Sequence, residues 1–245
     1  GYERPDGQMG IRNWVGVLSV MDNVNPIAAA ICQNVAGTLL IKTLFVRGQY
    51  GRDLEITYNT LAGMGRNPNL ASILVVGLEE TSTSQVADRI RNCGKPVDVL
   101  LVQNEAGSIA AMAEGIRKAA ALAVAASSER RKPVPVSALC IGVECGGSDT
   151  TSGLAANPCI GRVSDRIVEG GGKVVISETS EFLGAEHLFA ERAIDETVRK
   201  AFLDRVDRME KEALMRGVDI RGTNPVADNI RGGLTTIEEK SLGAT

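Results

Sequence analysis

The sequence predicts a three-layer α/β fold on a mostly parallel, doubly wound, Rossmann-like sheet, with a long C-terminal amphipathic helix. Short β-rich runs alternate along the chain with segments of helical period. Nearly every such run is apolar throughout, as a parallel strand covered on both faces requires. Aromatic content is 3% against 44% hydrophobic residues, so the layers should pack closely through Ala, Val, Ile and Leu.

The N-terminal segment joins Arg4, Asp6, Arg12 and Asn13 to three glycines. Arg12 is suited to clamping a carboxylate through its planar fork; the plainer reading is a β-turn stapled by an Arg/Asp pair. Strands are expected over 14–20, 41–46, 72–78, 97–102, 136–143 and 173–177, and helices over 26–36, 53–65, 82–93, 106–128 and 157–169. Beyond residue 190, Ile194, Val198, Ala201, Phe202, Val206, Met209 and Ala213 recur at helical spacing among charged residues. They define a long amphipathic helix whose charged face is laced with i,i+4 pairs and solvated. The expected division is an α/β core over 1–192 and a helix with extension over 193–245. Near the end, Thr235-Thr236-Ile237-Glu238-Glu239 has capping-box spacing. It opens a further helix belonging to a longer polypeptide, or else a frayed tail.

With 27 basic and 30 acidic residues the formal charge is −3, and no basic stripe is interleaved with aromatics, so nucleic acid is not an expected partner. The longest apolar stretch, residues 119–126, is far short of the ~20 needed to span a bilayer. No membrane partner is expected, and the cytoplasm is the expected compartment. Five cysteines at 32, 93, 140, 145 and 159 fit neither a disulfide scaffold nor a paired C-x-x-C zinc site, so reduced thiols are expected.

Ligands of open parallel sheets bind at the carboxyl ends of the strands, and the residues that follow the expected strands are acidic: Asp22, Glu79, Glu80, Glu105, Glu144, Glu178 and Glu181. Either these carboxylates cap helices locally, or several converge and require a divalent cation. The richest segment is Cys145-Gly146-Gly147-Ser148-Asp149-Thr150-Thr151-Ser152, running on to Asn157. Its glycines let backbone amides approach an anion. Ser148, Asp149, Thr151, Ser152 and Asn157 are candidates for substrate contact, and Cys145 is either a thiolate ligand or a buried small hydrophobe. No Lys follows the glycines, which argues against a phosphate loop. The single histidine, His187, follows Glu181 and Glu186; Glu/His sets bind iron or zinc, and a carboxylate beside an imidazole also favours general-base use.

In order along the chain stand G-Y-E-R-P-D-G-Q-M-G-I-R-N, G-R-N-P-N at 65–69, C-G-G-S-D-T-T-S-G-L-A-A-N-P, S-E-T-S-E-F-L-G-A-E-H and the terminal G-G-L-T-T-I-E-E-K-S-L-G. Together they resemble the altronate/galactarate dehydratase family over roughly residues 1–192 and the terminal motif. The resemblance implies metal-dependent lyases, usually requiring iron(II) although another divalent cation is an alternative. They dehydrate a small anionic sugar acid to a 2-keto-3-deoxy acid. It further implies partner domains or subunits before and after this segment, and a homo-oligomer. On that basis Glu181, His187 and Cys145 are the expected catalytic residues, and Cys145, Glu186 and His187 the expected metal ligands. Many members carry a Cys after the first strand, where this chain has Met21-Asp22-Asn23. That feature and the block from Asp53 to Asn69 are also similar to the large subunit of sulfolactate sulfo-lyase, which eliminates sulfite. The remaining expectations are a non-catalytic module of such a lyase and a binding protein for sugar acids.

Overall fold

In the computed structural model, which describes residues 1–44, 46 and 48–244, four of the six expected strands share one parallel sheet and the other two form a second. The chain accordingly divides into two units, Gly1–Val134 and Pro135–Thr245. The expected 192/193 boundary lies inside the second.

The first unit opens with a hairpin of β1 (Tyr2–Glu3) and β2 (Met9–Gly10). Among the described residues no Arg/Asp pair staples it. Arg4, only 4% exposed, donates from Nε to Pro68 O at 2.6 Å, from NH1 to Glu129 at 2.8 Å and from NH2 to Arg12 O at 2.9 Å. A buried guanidinium needs this degree of satisfaction. Asp6 instead accepts from Gln8.

There follow β3 (Trp14–Ser19), α1 (Asn25–Asn34), β4 (Thr38–Ile41), α2 (Gly51–Arg66), β5 (Leu70–Gly77), α3 (Glu80–Arg91), β6 (Val97–Leu101) and α4 (Ser108–Ser127). Strand order is β4-β3-β5-β6, all parallel. The expected strand over 41–46 is displaced: β4 ends at Ile41, and the part of the expected run at Phe45 lies outside the described residues. The strand stops because Thr43 is drawn into other bonds. Its N–H meets Ser19 Oγ at 3.3 Å and its carbonyl accepts from Asn25 Nδ2 at 2.7 Å.

Strand alternation sorts the core into two layers. Leu18, Ile73 and Val75 face Tyr58, Leu61, Val86 and Ile90 of α2 and α3. Val17, Leu74 and Val76 face Ile27, Ile31, Ala111 and Ala119 of α1 and α4. The small residues set the approach: a Cβ added to Gly115 would lie 2.3 Å from Ile31 Cδ1, and one on Gly65 2.4 Å from Ile90 Cδ1. This is the expected three-layer sandwich, doubly wound, with its switch point between β3 and β5.

Pro133 and Pro135, which have no N–H to donate to a ladder, interrupt the chain after α4. The expected strand over 136–143 therefore begins late, after a turn of 3₁₀ helix at Val136–Ala138. The second unit contains β7 (Cys140–Val143), α5 (Asn157–Glu169), β8 (Lys173–Ile176), α6 (Glu186–Glu191), α7 (Glu196–Met215), α8 (Ile220–Thr223), α9 (Ala227–Arg231) and α10 (Ile237–Ala244). Strands β7 and β8 are parallel. The expected long helix is α7, capped by Asp195 accepting from Val198 N at 2.8 Å. Its outer face carries Arg199–Glu196, Arg208–Glu212 and Lys211–Asp207 pairs, as a solvated face should. Inside, Leu183, Val206 and Ile237 pack with Phe182, Phe202 and Met209. Among the described residues no helix is long and apolar enough to cross a membrane.

Lys95 supplies a test of the first unit. It is 4% exposed and donates to the carbonyls of Gly65 at 3.1 Å and Asn67 at 2.7 Å; burial depresses its pKa to about 8. Between that value and the ~10.4 of a free lysine the unfolded chain binds the additional proton, so unfolding free energy rises with pH across this window. Urea titrations followed by the fluorescence of Trp14, the only tryptophan, should show that rise from pH 8 to 10, and Lys95→Met should flatten it.

Candidate active site

Register decides which residues meet at the site. Val143 of β7 pairs with Ile176 of β8, and two residues past each stand Cys145 and Glu178. The Cys145 N–H accordingly points to Glu178 Oε2 at 3.3 Å. A 3₁₀ turn at Thr179–Phe182 then carries Glu181 back to the same edge. The ligand atoms of Cys145, Glu178 and Glu181 all lie within 4.8 Å of one another, and all three side chains are half-buried. Among the described residues this is the only such group of three or more His, Cys, Asp or Glu.

Glu181 is held from behind by α10. Lys240 Nζ lies 3.1 Å from Glu181 Oε1, with the two side chains 11% and 13% exposed, and also donates to Asn224 Oδ1 at 3.1 Å. Ser241, 2% exposed, donates to Glu181 O at 2.8 Å. The helix is not a frayed tail. Thr236 Oγ1 accepts from Glu239 N at 3.2 Å while Glu239 accepts from Thr235 N at 2.7 Å, which is capping-box chemistry displaced by one residue.

The glycine-rich turn builds the neighbouring wall. Gly147 sits at φ 140°, which suits glycine alone. Asp149 then caps the helical run that starts at Thr150, accepting from Thr151 N at 2.8 Å, Thr151 Oγ1 at 2.6 Å and Ser152 N at 3.2 Å. The bonds from Thr151, followed by those from Ser152, hold its carboxyl below the usual carboxylate range. A π-helical turn at Ser152–Ala156 leads into α5. Asn157 Nδ2 donates to Gly243 O at 2.6 Å, and Thr150 Oγ1 to Gly232 O at 2.7 Å. Much of the polar excess therefore locks the turn to α10 and the segment before it. Ser148 Oγ stands 3.3 Å from Cys145 Sγ.

A cleft of about 570 Å³ is lined by Cys145, Glu178 and Glu181, and also by Ser148, Ser152 and Asn157, a volume suited to a small molecule. A second hollow of about 280 Å³ adjoins Ser148, Asp149, Asn157 and Lys240.

Several expected residues stand apart from the group. Glu186 accepts from Gly184 N at 2.5 Å and from Arg221 NH2 at 2.7 Å, while Arg221 Nε also binds Glu210 at 2.6 Å. Burial pulls the Glu186 carboxyl upward, but Arg221 and the backbone donors outweigh it and hold it low. His187 is exposed on α6 and lines neither hollow. Arg12 is exposed in the first unit, its guanidinium on Ile11 O at 3.3 Å. Of the acidic strand ends, Glu79 follows the local alternative, capping α3 through Thr81 N at 2.6 Å and Ser82 N at 2.9 Å. Asp22, Glu80 and Glu105 also lie outside the group. Glu178 and Lys240 are not among the metal ligands expected from the sequence. For Glu178 the signal was available, since it stands as far past its strand as Cys145 does past the preceding one. Lys240 gives none beyond the capping box around it.

Breaking a nearly buried pair leaves an uncompensated charge, so Lys240→Ala should destabilise the second unit by about 3 kcal/mol. Adding Glu181→Gln should recover much of the loss. Urea unfolding of the four proteins in this cycle, followed by far-UV circular dichroism, measures both effects.

The sequence profile of the "D-galactarate dehydratase/Altronate hydrolase, second domain" matches residues 1–127, and that of the "D-galactarate/Altronate dehydratase, C-terminal" matches residues 136–245. Over 99% of its length the chain is 42% identical to the (2R)-sulfolactate sulfo-lyase subunit beta of Chromohalobacter salexigens, covering 62% of that protein. Over its whole length it is 33% and 31% identical to the altronate dehydratases of Escherichia coli and Bacillus subtilis, covering 51% of each. The chain thus spans about half to three-fifths of these relatives.

Proposed function

The chain belongs to the D-galactarate dehydratase/altronate hydrolase family, and from that membership we propose that it forms the site-bearing part of a lyase acting by β-elimination on a small hydroxy acid. The observation that carries the reading is the Cys145–Glu178–Glu181 group opening into a cleft of about 570 Å³. Higher identity to the sulfo-lyase subunit, 42% against 33% and 31%, favours sulfite over water as the leaving group. Dehydration of a hexonate or hexarate is the second reading, favoured by the two matched profiles. Further domains or subunits complete the enzyme in this proposal.

The donor set fits a divalent cation. One sulfur and two carboxylates suit a borderline ion such as iron(II) or zinc better than magnesium or calcium, and three protein ligands leave coordination positions open. A bound cation would supply Lewis-acid stabilisation of the negative charge that develops when a proton is removed beside a carboxylate. Lys240 engages Glu181 Oε1 and so fixes which oxygen turns toward the group, the outer support that such ligands ordinarily need. Ser148 and Ser152 line the cleft, and in this reading their hydroxyls bond those of the substrate. The α-proton passes to a carboxylate oxygen of the lining outside the group, that of Glu144, Asp165 or Glu169. As the C–H electrons form the new double bond, the C–S bond breaks and its electrons leave with sulfite, or the C–O bond breaks and the departing hydroxide takes a proton from the newly protonated carboxyl to leave as water. The resulting enol takes up a proton to become a 2-keto acid.

The full-length protein, loaded anaerobically with iron(II), should release sulfite and a keto acid in equal amounts from (2R)-sulfolactate, faster than it forms keto-deoxy acid from altronate or galactarate. Glu178→Gln should lower kcat/KM at least about 100-fold, the equivalent of ~2.7 kcal/mol of transition-state stabilisation. Absence of product from all three acids would remove the lyase reading.

A further inference from the structure

The cleft poses an electrostatic problem for the substrate class just proposed. Besides Glu178 and Glu181 it is lined by Glu144, Asp165 and Glu169, and among the described residues the sole cationic side chain in its lining is Arg192. Like charges at this density repel an anionic acid. Lys240 is spent on Glu181 and Asn224, and Arg162 lies 4.0 Å from Asp165. Arg221, the other arginine fixed to this part of the unit, is consumed by Glu186 and Glu210.

Arg192 differs from all of these. Among the described residues its guanidinium has no carboxylate partner and no hydrogen bond; its contact is with the ring of Phe189, 5.5 Å from guanidinium carbon to centroid. Phe189 is itself fixed, edge-on to Phe182 with centroids 4.6 Å apart and stacked with Phe202 at 6.0 Å. Phe182 and Phe189 line the same cleft. An arginine lying on an anchored aromatic ring keeps its planar fork of donors free. It faces a cleft where every other charged side chain is acidic, and a bidentate oxyanion contact is the chemistry such a fork supplies.

We propose that Arg192 is the anion-binding residue of the cleft, taking the terminal carboxylate or sulfonate of the substrate, with Phe189 as its platform. The assignment rests on the lyase reading above and names the group that admits an acid to an acidic cleft. It also gives substrate contact to a residue outside the glycine-rich turn, whose Asp149 and Asn157 are engaged in locking that turn.

The test uses the full-length enzyme and its Arg192→Gln and Arg192→Lys variants, with (2R)-sulfolactate and altronate as substrates. Expected for Arg192→Gln is a KM at least tenfold higher with kcat within about threefold, and recovery on addition of guanidinium ion at low millimolar concentration. Arg192→Lys should fall between, since a point charge replaces a fork. Competitive inhibition by lactate and by 2-hydroxyethanesulfonate separates the two oxyanions: the inhibitor whose Ki rises in Arg192→Gln identifies the group bound. Unchanged KM and unchanged Ki for both inhibitors would overturn the assignment while leaving the lyase reading intact. If the wild-type enzyme turns over none of the acids, the lyase reading fails. Calorimetric binding of (2R)-sulfolactate then decides the arginine's role: loss of affinity in Arg192→Gln sustains it, and equal affinity or no binding to either protein overturns it.

Discussion

Parallel pairing of neighbouring strands is the constraint from which the rest of this structure follows. Because parallel strands run in one direction, every residue just past a strand emerges on the same edge of its sheet, and each return journey must be made by a crossover that also covers a face. In the first unit this produces two apolar layers around β3 and β5, sorted by the alternation of Val17 with Leu18 and of Leu74 with Val75. In the second unit β7 and β8 are the paired strands among the described residues, yet the same rule brings Cys145 and Glu178 side by side, where the Cys145 N–H reaches Glu178 Oε2.

The acidic edges of the two units have different outcomes, and local hydrogen bonding explains the difference. Glu79 spends its carboxylate on the first amides of α3, and bonding from Ser82, outweighing the effect of burial, keeps its carboxyl below the ordinary range. Glu178 and Glu181 have no comparable helix to cap. Glu178 meets one amide, and Glu181 meets an ammonium brought by a distant segment. Two carboxylates and a thiol are thereby left with ligand atoms close together and one lysine against them, an imbalance that the proposed divalent cation would correct.

The α/β class, the helices, the long C-terminal helix and four of the six strands to within about two residues were legible because they rest on local periodicity and unbroken apolar runs. Strand β4 was misplaced because hydrophobicity continues past Ile41, whereas the strand ends where Thr43 is captured by Ser19 and Asn25, a contact between segments far apart in sequence. The late start of β7 was readable in Pro133 and Pro135, whose missing donors outweigh the β propensity of Val134 and Val136. At the site, Cys145 and Glu181 were legible from their places beyond strands. Glu186 and His187 looked similar by adjacency, but a helix start turns neighbouring residues to different sides, and Glu186 is claimed by an arginine 35 positions away. Lys240 and Arg192 gave no local signal, since their roles depend on tertiary partners.

Cys145, Glu178 and Glu181 are proposed to hold one divalent cation together. Cobalt(II) titration of the metal-depleted full-length protein under anaerobic conditions addresses it directly, because sulfur ligation gives a thiolate-to-metal charge-transfer band in the near ultraviolet. Expected are one equivalent bound with that band present, loss of the band in Cys145→Ser, and weakened binding in both Glu178→Gln and Glu181→Gln. A band and stoichiometry unchanged by all three substitutions, or no binding by the wild-type protein, would contradict it.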